Sequence, residues 1–272
     1  MIFDLHSHTT FSDGALTPHE LVSRAAEKGV DVLAITDHDT LDAYKDSPLA
    51  HGELKLVAGI ELSTQWESTG IHVLGLNVDL DSDAINYAAQ SQSNARLERA
   101  RRIAENLEKK GIEGAFNGAL SLSCGGYIGR PHFAQYIINI GKAKSMNTAF
   151  KKYLGDGKVG DVKQHWADLP QIIEWIRGAG GIAVLAHPLK YKLTRTRLKR
   201  LIESFIQVGG QGMEVVSGQQ LPQQTKDMAQ LCEQNDLLAS CGSDFHMPGK
   251  PWAELGVFTP LPGNVTPVWD RF

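Results

Sequence analysis

Histidine and carboxylate residues recur at strand-like apolar runs along this sequence. His6 and His8 flank a serine directly after the first run, and residues two apart in a strand point the same way, so both imidazoles can face one ion. Nine residues share this placement: His6, His8, Asp13, His38, Glu61, His72, His187, Asp244 and His246. Nitrogen and oxygen ligands without sulfur suit manganese, zinc or iron. One ion uses roughly four to six ligands, so nine predict two or three divalent metal ions.

Each of these residues has a simpler explanation when it is taken alone. A single histidine such as His38 or His72 more often makes a hydrogen bond in a partly buried place, and Glu61 at a strand end can cap a helix. Without a metal centre, such separate explanations would have to coincide at nearly every strand-like run. The shared placement of the nine residues therefore favours the metal centre. We expect Glu214 and Asp37 at most to form hydrogen bonds that orient the ligands, and not to bind metal themselves.

The apolar runs alternate with helical patterns in the first and last thirds of the chain. We expect seven strands within residues 2–5, 30–35, 56–60, 71–76, 182–186, 213–216 and 237–239. Val30–Ile35 is continuously apolar, which is typical of a strand buried on both faces of a parallel sheet. The pattern predicts an α/β fold, a βα barrel whose active site lies at the carboxyl ends of its strands.

The middle third of the chain carries no clear strand pattern. A helical pattern runs from about Ala95 to Lys110 and stops at Gly111, and the ligand series resumes only at His187. We therefore expect a helical insertion within one barrel. The predicted division is a first barrel part at 1–80, a helical, substrate-binding cap at 81–161 and a second barrel part at 162–272.

Composition excludes several classes of protein. The 272 residues are 42% hydrophobic and 21% charged, and the net charge of -4 argues against a protein that coats nucleic acid over its whole surface. Three cysteines without a C-x-x-C pair indicate neither a disulfide framework nor a thiolate zinc site. We expect no leader peptide, because the first residues lack a basic region, and no membrane helix, because no apolar stretch reaches the ~20 residues that one needs. We expect a soluble, cytoplasmic protein with no obligate protein partner.

The potential ligands lie in motifs that resemble, in order, those of the PHP (polymerase and histidinol phosphatase) family. The matching motifs are His6-Ser-His8, Asp13, Thr-Asp-His38, Gly-Ile-Glu61, Ile-His72-Val, Leu-Ala-His187-Pro and Ser-Asp244-Phe-His246. This resemblance implies a distorted seven-stranded βα barrel of the PHP type with a trinuclear centre, usually occupied by manganese. It implies that the nine residues are the ligands, with Glu61 as the bridge, and Glu61, Asp13 and His246 are predicted to be catalytic.

Substrate contacts are expected from the insertion. The candidates are cationic or imidazole side chains: Arg96, Arg99, Arg102, Arg130 and His132. Guanidinium groups bind phosphate bidentately, although Glu98 and Arg102 also suit a solvated helix face. The layout resembles a small bacterial PHP subgroup that acts on 3′,5′-nucleoside bisphosphates. It implies hydrolysis of the 3′-phosphate, from pAp to AMP, by a metal-activated hydroxide, with Arg99 and His132 as the best matched substrate contacts.

Four alternatives stay open. Relatives in that subgroup also act as 5′→3′ exoribonucleases on short RNA with a 5′-monophosphate, which requires a track for the following nucleotides. A run of bases without an acid could supply that track or form a solvated helix: Lys190, Lys192, Arg195, Arg197, Lys199 and Arg200. A histidinol-phosphate phosphatase would not need the arginine-bearing insertion. An amidohydrolase usually needs a bridging lysine, and a non-catalytic PHP module would lack some ligands.

Overall fold

Seven strands form the framework of the protein. The computed structural model describes residues 1–45, 49, 52–123, 127–162 and 166–272. Each strand in this part of the chain overlaps a predicted apolar run. The strands are β1 Phe3–Asp4, β2 Val32–Ile35, β3 Lys55–Trp66, β4 Thr69–Leu76, β5 Ile182–Leu185, β6 Gly212–Ser217 and β7 Leu238–Gly242.

The strands follow one another around the sheet in chain order, and the sheet is nearly closed into a barrel. Neighbours are parallel except at β4, which runs antiparallel to both β3 and β5. Only Glu67 and Ser68 connect β3 to β4, and so short a connection requires an antiparallel hairpin. The parallel arrangement expected from the apolar runs therefore does not hold at β4. Ser7 pairs with Phe245 beyond the ends of β1 and β7 and brings the first strand next to the last.

Alternate residues of the strands face the barrel interior and the outer helices. On β5, Val184 belongs to the interior apolar cluster, whereas Ala183 packs in the cluster shared with outer helices. The Trp269 ring stacks on Phe3 with centroids 3.9 Å apart, near the start of β1. The apolar interior thus fills the amino-terminal part of the barrel and leaves the carboxyl ends of the strands for polar side chains.

Helices cover the barrel and form the middle third. They are α1 Pro18–Glu27, α2 Asp83–Glu108, α3 Ala115–Leu120, α4 Arg130–Asn139, α5 Met146–Ala149, α6 Leu169–Gly178, α7 Arg195–Gln207 and α8 Pro222–Gln234. Short 3₁₀ turns include Pro188–Tyr191, Pro251–Ala253 and Val268–Arg271. A helix long and apolar enough to cross a membrane is not found in the described ranges.

Helix α2 belongs to two apolar cores. Ile85 and Ala88 near its start pack in the barrel cluster, whereas Ile103 and Leu107 pack in a second cluster with residues of α3 and α4. The middle of the chain thus has an apolar core of its own, and the helical insertion stays a prediction. The boundaries at 81 and 161 remain a prediction.

Close packing between β7 and β1 gives a test of the barrel. A methyl group at Gly242 would lie 2.4 Å from the His6 Cβ, whereas one at Gly70 of β4 meets no atom within 4 Å. We expect Gly242→Ala to lower the free energy of unfolding by about 1–3 kcal/mol, because β1 must shift, and Gly70→Ala to change it much less. Urea titrations measure both, and equal unfolding midpoints for the two variants would contradict this closure.

Candidate metal centre and substrate cleft

The nine predicted ligand residues converge at one end of the barrel. They form four overlapping groups in which the potential ligand atoms lie within 4.8 Å of one another. The groups are His8, Asp13, His38 and His246; His6, His187 and Asp244; His6, His8 and Glu61; and His38, Glu61 and His72. Every predicted ligand falls in at least one group. Their assignment as ligands is an inference from this geometry and from the donor types.

Glu61 lies at the middle of the cluster and is fully buried. One of its oxygens, Oε1, is 2.8 Å from the His72 Nδ1 and 3.0 Å from the His187 Nε2. The other, Oε2, lies 3.0–3.3 Å from ring nitrogens of three more histidines: His6, His8 and His38. A carboxylate placed this way can bridge two ions. The residue lies inside β3, not at its end, because the hairpin with β4 lengthens that strand.

The hairpin also positions His72. Because β4 runs antiparallel to its neighbours, its first residues lie at the same end of the barrel as the carboxyl ends of the parallel strands. Ser63 pairs with His72 in the register of β3 and β4, two residues beyond Glu61. This explains why His72 follows the start of its apolar run while the other histidines follow the ends of theirs.

Left-handed backbone turns follow three of the parallel strands. Asp39, His187 and Asp244 have φ angles of 57°, 26° and 53° after β2, β5 and β7. Residues other than glycine rarely adopt such angles, and they do so where the surrounding structure enforces them, often at functional sites. Two of these residues are predicted ligands. The third, Asp39, binds Arg96 of helix α2.

Buried ligand atoms without hydrogen-bond partners indicate that the cluster fits metal ions. Within the described ranges, six of the eight unpartnered buried side-chain atoms belong to the predicted ligands. They are His6 Nε2, His8 Nε2, Asp13 Oδ1, His38 Nδ1, Glu61 Oε2 and His187 Nδ1. Buried polar atoms are nearly always partnered, so this concentration of unpartnered nitrogen and oxygen atoms fits metal ions bound between them.

The electrostatics of the cluster lead to the same conclusion. Burial by itself would raise the pKa of Glu61, but the imidazoles of His38, His72 and His6 outweigh burial and hold this pKa well below its usual range. Burial would lower the pKa of His6, but the carboxylates of Glu214 and Glu61 raise it to about 10. The carboxyl group of Glu61 therefore remains anionic, and its charge favours cations at the centre.

Two carboxylates that are not predicted ligands orient the ligand residues through hydrogen bonds. Glu214 accepts at Oε1 from the His6 ring, whose Nδ1 is 3.0 Å away, and at Oε2 from the His187 backbone N–H at 2.5 Å. Asp37 accepts from the Thr9 backbone N–H at 2.7 Å and from hydroxyl groups on the loop that leads to Asp13. Such contacts fix ring and loop orientation, as expected for Glu214 and Asp37.

A cleft between the barrel and the insertion opens onto the metal cluster. Its cavity volume is about 390 Å³, and it reaches the cluster at Asp13, His38 and His72. From the insertion, Arg99 and Arg130 line it. The Arg99 Nε donates to the Val162 carbonyl at 3.3 Å, and the Arg130 Nη1 to the Leu154 carbonyl at 3.4 Å.

These two guanidinium groups have no carboxylate within ion-pair distance among the described residues. Burial, followed by repulsion from Arg130 and Arg96, lowers the pKa of Arg99 to about 10. Confined positive charge of this kind favours a bound anion.

Arg96 lines the same cleft but is already engaged. Its guanidinium pairs with the buried carboxylate of Asp39 and donates to the Tyr127 hydroxyl at 3.0 Å and the Ser63 hydroxyl at 2.9 Å. This buried ion pair joins helix α2 to the loop after β2 that carries His38. The geometry therefore gives Arg96 a positioning contact and not the free guanidinium that a substrate contact needs.

Arg102 and His132 do not line the cleft, so their roles as substrate contacts stay predictions. Arg102 is exposed and contacts Glu98 at 3.1 Å on the outer side of α2, as a solvated helix face would have it. His132 is half-buried near the cleft, and its Nδ1 accepts from the Gly129 backbone N–H at 3.0 Å at the start of α4. Burial lowers the pKa of His132.

Several residues of the site carried no recognisable signal in the sequence. Tyr127 and Trp166 line the cleft and hold the Arg96 guanidinium 4.4 Å and 5.0 Å from their ring centroids. Lys190 contacts the carboxylate of Asp244, although it had been grouped with the basic run that follows. Arg96 is more than 30 residues from Tyr127 and Trp166, and Lys190 is more than 30 residues from Asp244. A periodic pattern in the sequence cannot identify contacts over such distances.

The basic run does not form an uninterrupted cationic track. Arg197 and Arg200 bind the Glu67 carboxylate from both sides, at 2.9 Å and 2.6 Å, and their guanidinium groups lie 5.7 Å from the Trp66 ring centroid. They thus fasten α7 to the tip of the β3–β4 hairpin. With Lys190 at Asp244, three of the six bases have partners.

Proteins of similar sequence are named for two related activities. A 5′-3′ exoribonuclease of Haemophilus influenzae is 45% identical, over 99% of this chain and 98% of its own length. A 3′,5′-nucleoside bisphosphate phosphatase of Chromobacterium violaceum is 40% identical, over 98% of this chain and 94% of its own length. Both names denote enzymes that cleave phosphoesters.

Solved structures show the same fold. A protein of Chromobacterium violaceum, described as an amidohydrolase with sulfate bound and no metal, has a TM-score of 0.90 and 39% identity, over 100% of this chain and 95% of its own. A Bifidobacterium adolescentis protein, proposed to be a metal-dependent phosphoesterase, has a TM-score of 0.79 and 28% identity, over 99% of this chain and 93% of its own.

These similarities establish the class of the protein. It is a hydrolase, and its relatives and structural neighbours indicate phosphoester cleavage with divalent metal ions. The model of the PHP domain family matches residues 4–177, which include six of the nine predicted ligands and the β3–β4 hairpin that carries Glu61 and His72. The chain belongs to the PHP family.

Proposed function

We propose that this protein hydrolyses the 3′-phosphate of 3′,5′-nucleoside bisphosphates and releases a 5′-nucleotide and phosphate. The observation that carries the proposal is the cleft in which Arg99 and Arg130 lie without a carboxylate partner among the described residues, next to Asp13, His38 and His72. An anion bound by the two guanidinium groups would lie on the insertion side of the cleft. A phosphoester on the same molecule would then reach the ligand cluster.

The chain supplies both binding and orientation for this reaction. Arg99 and Arg130 would bind the 5′-phosphate, and the fixed guanidinium of Arg96 would hold Tyr127 and Trp166 as the walls of the cleft. A phosphate anchored at a distance from the reacting phosphorus orients the substrate and reduces the entropic cost of reaction. Divalent ions held by the nine residues would supply Lewis acidity and lower the pKa of water, and we propose manganese as the metal.

A second candidate is 5′→3′ exoribonuclease activity on RNA with a 5′-monophosphate. The name of the relative that is 45% identical over almost the whole chain favours it. Both reactions anchor a 5′-phosphate and break the bond between the 3′ oxygen and phosphorus. The bisphosphate is therefore the smallest substrate of one shared mode of binding.

A side-by-side assay tests the proposal. With manganese, the rates on adenosine 3′,5′-bisphosphate, on a short 5′-monophosphorylated RNA and on histidinol phosphate are compared. We expect phosphate and 5′-AMP from the bisphosphate, and stepwise release of mononucleotides if the second activity is also present. Efficient hydrolysis of histidinol phosphate without either nucleotide reaction would refute the proposal.

Removal of single ligands tests the metal centre. Asp13 and His246 contact each other at 3.2 Å and are partly exposed, so Asp13→Ala and His246→Ala should leave the fold intact. We expect each variant to lose turnover with manganese, while its thermal unfolding without metal stays close to that of the parent. Circular dichroism melts and phosphate release measure the two effects. Retained turnover in both variants would remove these residues from the centre.

Substitution of Arg99 tests the anion site. The loss of a charged hydrogen bond to phosphate should raise the KM for the bisphosphate roughly tenfold or more, with a much smaller rise for p-nitrophenyl phosphate. Arg102→Ala, on the same helix but directed at solvent, is the matched control and should leave both values unchanged. Equal rises for the two substrates in Arg99→Ala would place the 5′-phosphate elsewhere.

A further inference from the structure

A second opening reaches the metal cluster at His187, which does not line the arginine cleft. A cavity of about 190 Å³ is bordered by His187, Lys190, Ser217 and Gln219. The arginine cleft instead reaches the cluster at Asp13, His38 and His72. Because the Oε1 of Glu61 contacts both His72 and His187, the two openings approach the same carboxylate through different histidines. A substrate longer than one nucleotide could therefore enter by one opening and leave by the other.

The cavity beside His187 adjoins another cavity on the protein surface. A neighbouring cavity of about 400 Å³ is bordered by Val257, Phe258 and Pro260, and it shares Gln219 and Gln220 with the first. The two cavities form one depression that leads outward from His187 across Gln219 to Phe258. We call this depression the downstream groove.

The downstream groove displays groups suited to nucleotides. The Gln219 side chain is exposed and has no hydrogen-bond partner in the described structure, and the Ser217 hydroxyl is buried without one. By contrast, Gln220 is occupied, since its amide donates to the Val215 carbonyl at 2.7 Å. Lys190 supplies a positive charge beside the cluster, and its side chain is 51% exposed. A free amide, a free hydroxyl and one ammonium group match base edges and a phosphate.

An exposed indole lies beside the groove. Trp252 is 60% exposed, and its carbonyl accepts from the Gln219 backbone N–H at 2.8 Å. Gly218 allows this contact, because its φ is 63° and a Cβ there would lie 2.6 Å from the Trp252 oxygen. The backbone thus holds the Trp252 turn against Gln219 while the ring stays in solvent. An exposed aromatic ring next to a nucleotide site is a stacking surface for unpaired bases.

The groove carries little negative charge. Among the described residues that line its two cavities, the acid is Glu214, which is 1% exposed and already accepts from His6 and His187. The predicted alternative, the basic run on α7, has Arg197 and Arg200 bound to Glu67. These two arginines are therefore engaged, whereas the Gln219 side chain and the Trp252 ring of the groove are exposed.

We infer that the downstream groove binds the nucleotides of a single-stranded RNA that follow the reacting phosphate, with Gln219 at the first base and Trp252 stacked on a later one. The inference rests on the second candidate activity of the proposed function. Hydrolysis breaks the bond from the 3′ oxygen to phosphorus, water supplies the new oxygen on phosphorus, and the 3′ oxygen takes a proton. The phosphate thus stays on the downstream strand, and a bisphosphate has no group that reaches the groove.

Two substrates and two surface variants test the inference. Adenosine 3′,5′-bisphosphate is compared with 5′-phosphorylated hexaadenylate for Trp252→Ala and Gln219→Ala. We expect kcat/KM for the hexanucleotide to fall at least about fivefold in Trp252→Ala, as loss of one base stack would give, with the value for the bisphosphate unchanged. Trp252→Phe should recover most of the loss. Tyr87→Ala, which removes a 65% exposed ring from α2, is the matched control.

The outcomes separate this inference from the proposed function. Equal losses on both substrates, or no loss on the hexanucleotide in either variant, would overturn the downstream groove as an RNA site. A parent enzyme that hydrolyses the bisphosphate but not the hexanucleotide would overturn the inference and leave the proposed phosphatase standing. A parent enzyme inactive on both would refute the proposed function itself.

Discussion

The buried carboxylate of Glu61 is the constraint on which the rest of the site depends. It lies with no exposed surface among five imidazoles whose nitrogens are 2.8–3.3 Å from its oxygens. A buried carboxylate is costly unless cations or hydrogen bonds compensate it. Since neutral imidazoles can accept as well as donate, divalent ions between these groups would satisfy the carboxylate and the ring nitrogens together.

The barrel meets this constraint through the β3–β4 hairpin. Parallel strands alone would place ligands only at their carboxyl ends, whereas the hairpin places Glu61 within a strand and His72 near the start of the next. Carboxylates on other elements then orient the ligands and connect them to the insertion. Glu214 on β6 fixes His6 and His187, and Asp39 after β2 binds Arg96 of the insertion. The Arg96–Asp39 pair couples the cleft wall to the loop that carries His38.

The nine ligand candidates stand out in the sequence because metal-binding chemistry restricts them to a few residue types at strand-like runs. All nine are brought together, although the metal itself is inferred. The contacts of the cleft arginines are less evident from the sequence. Arg96 and Arg102 share a helix and a residue type, but only packing decides that one meets Asp39 and the other meets solvent.

Long-range partners explain the other differences between prediction and structure. The apolar pattern predicts a shorter β3, because Glu61, Ser63 and Gln65 interrupt it, while pairing with β4 continues to Trp66. The downstream groove combines loops after β5, β6 and β7. No local pattern in the sequence indicates that these loops lie side by side.

The number of ions bound per chain tests the central claim most directly. The protein is dialysed to equilibrium against manganese, and its metal content is measured by elemental analysis alongside that of Glu61→Ala. The account predicts two or three ions per chain in the parent protein. It also predicts the loss of at least one ion in the variant, because Glu61 lies in two of the four ligand groups. One ion or none in the parent protein, or an unchanged number in Glu61→Ala, would contradict it.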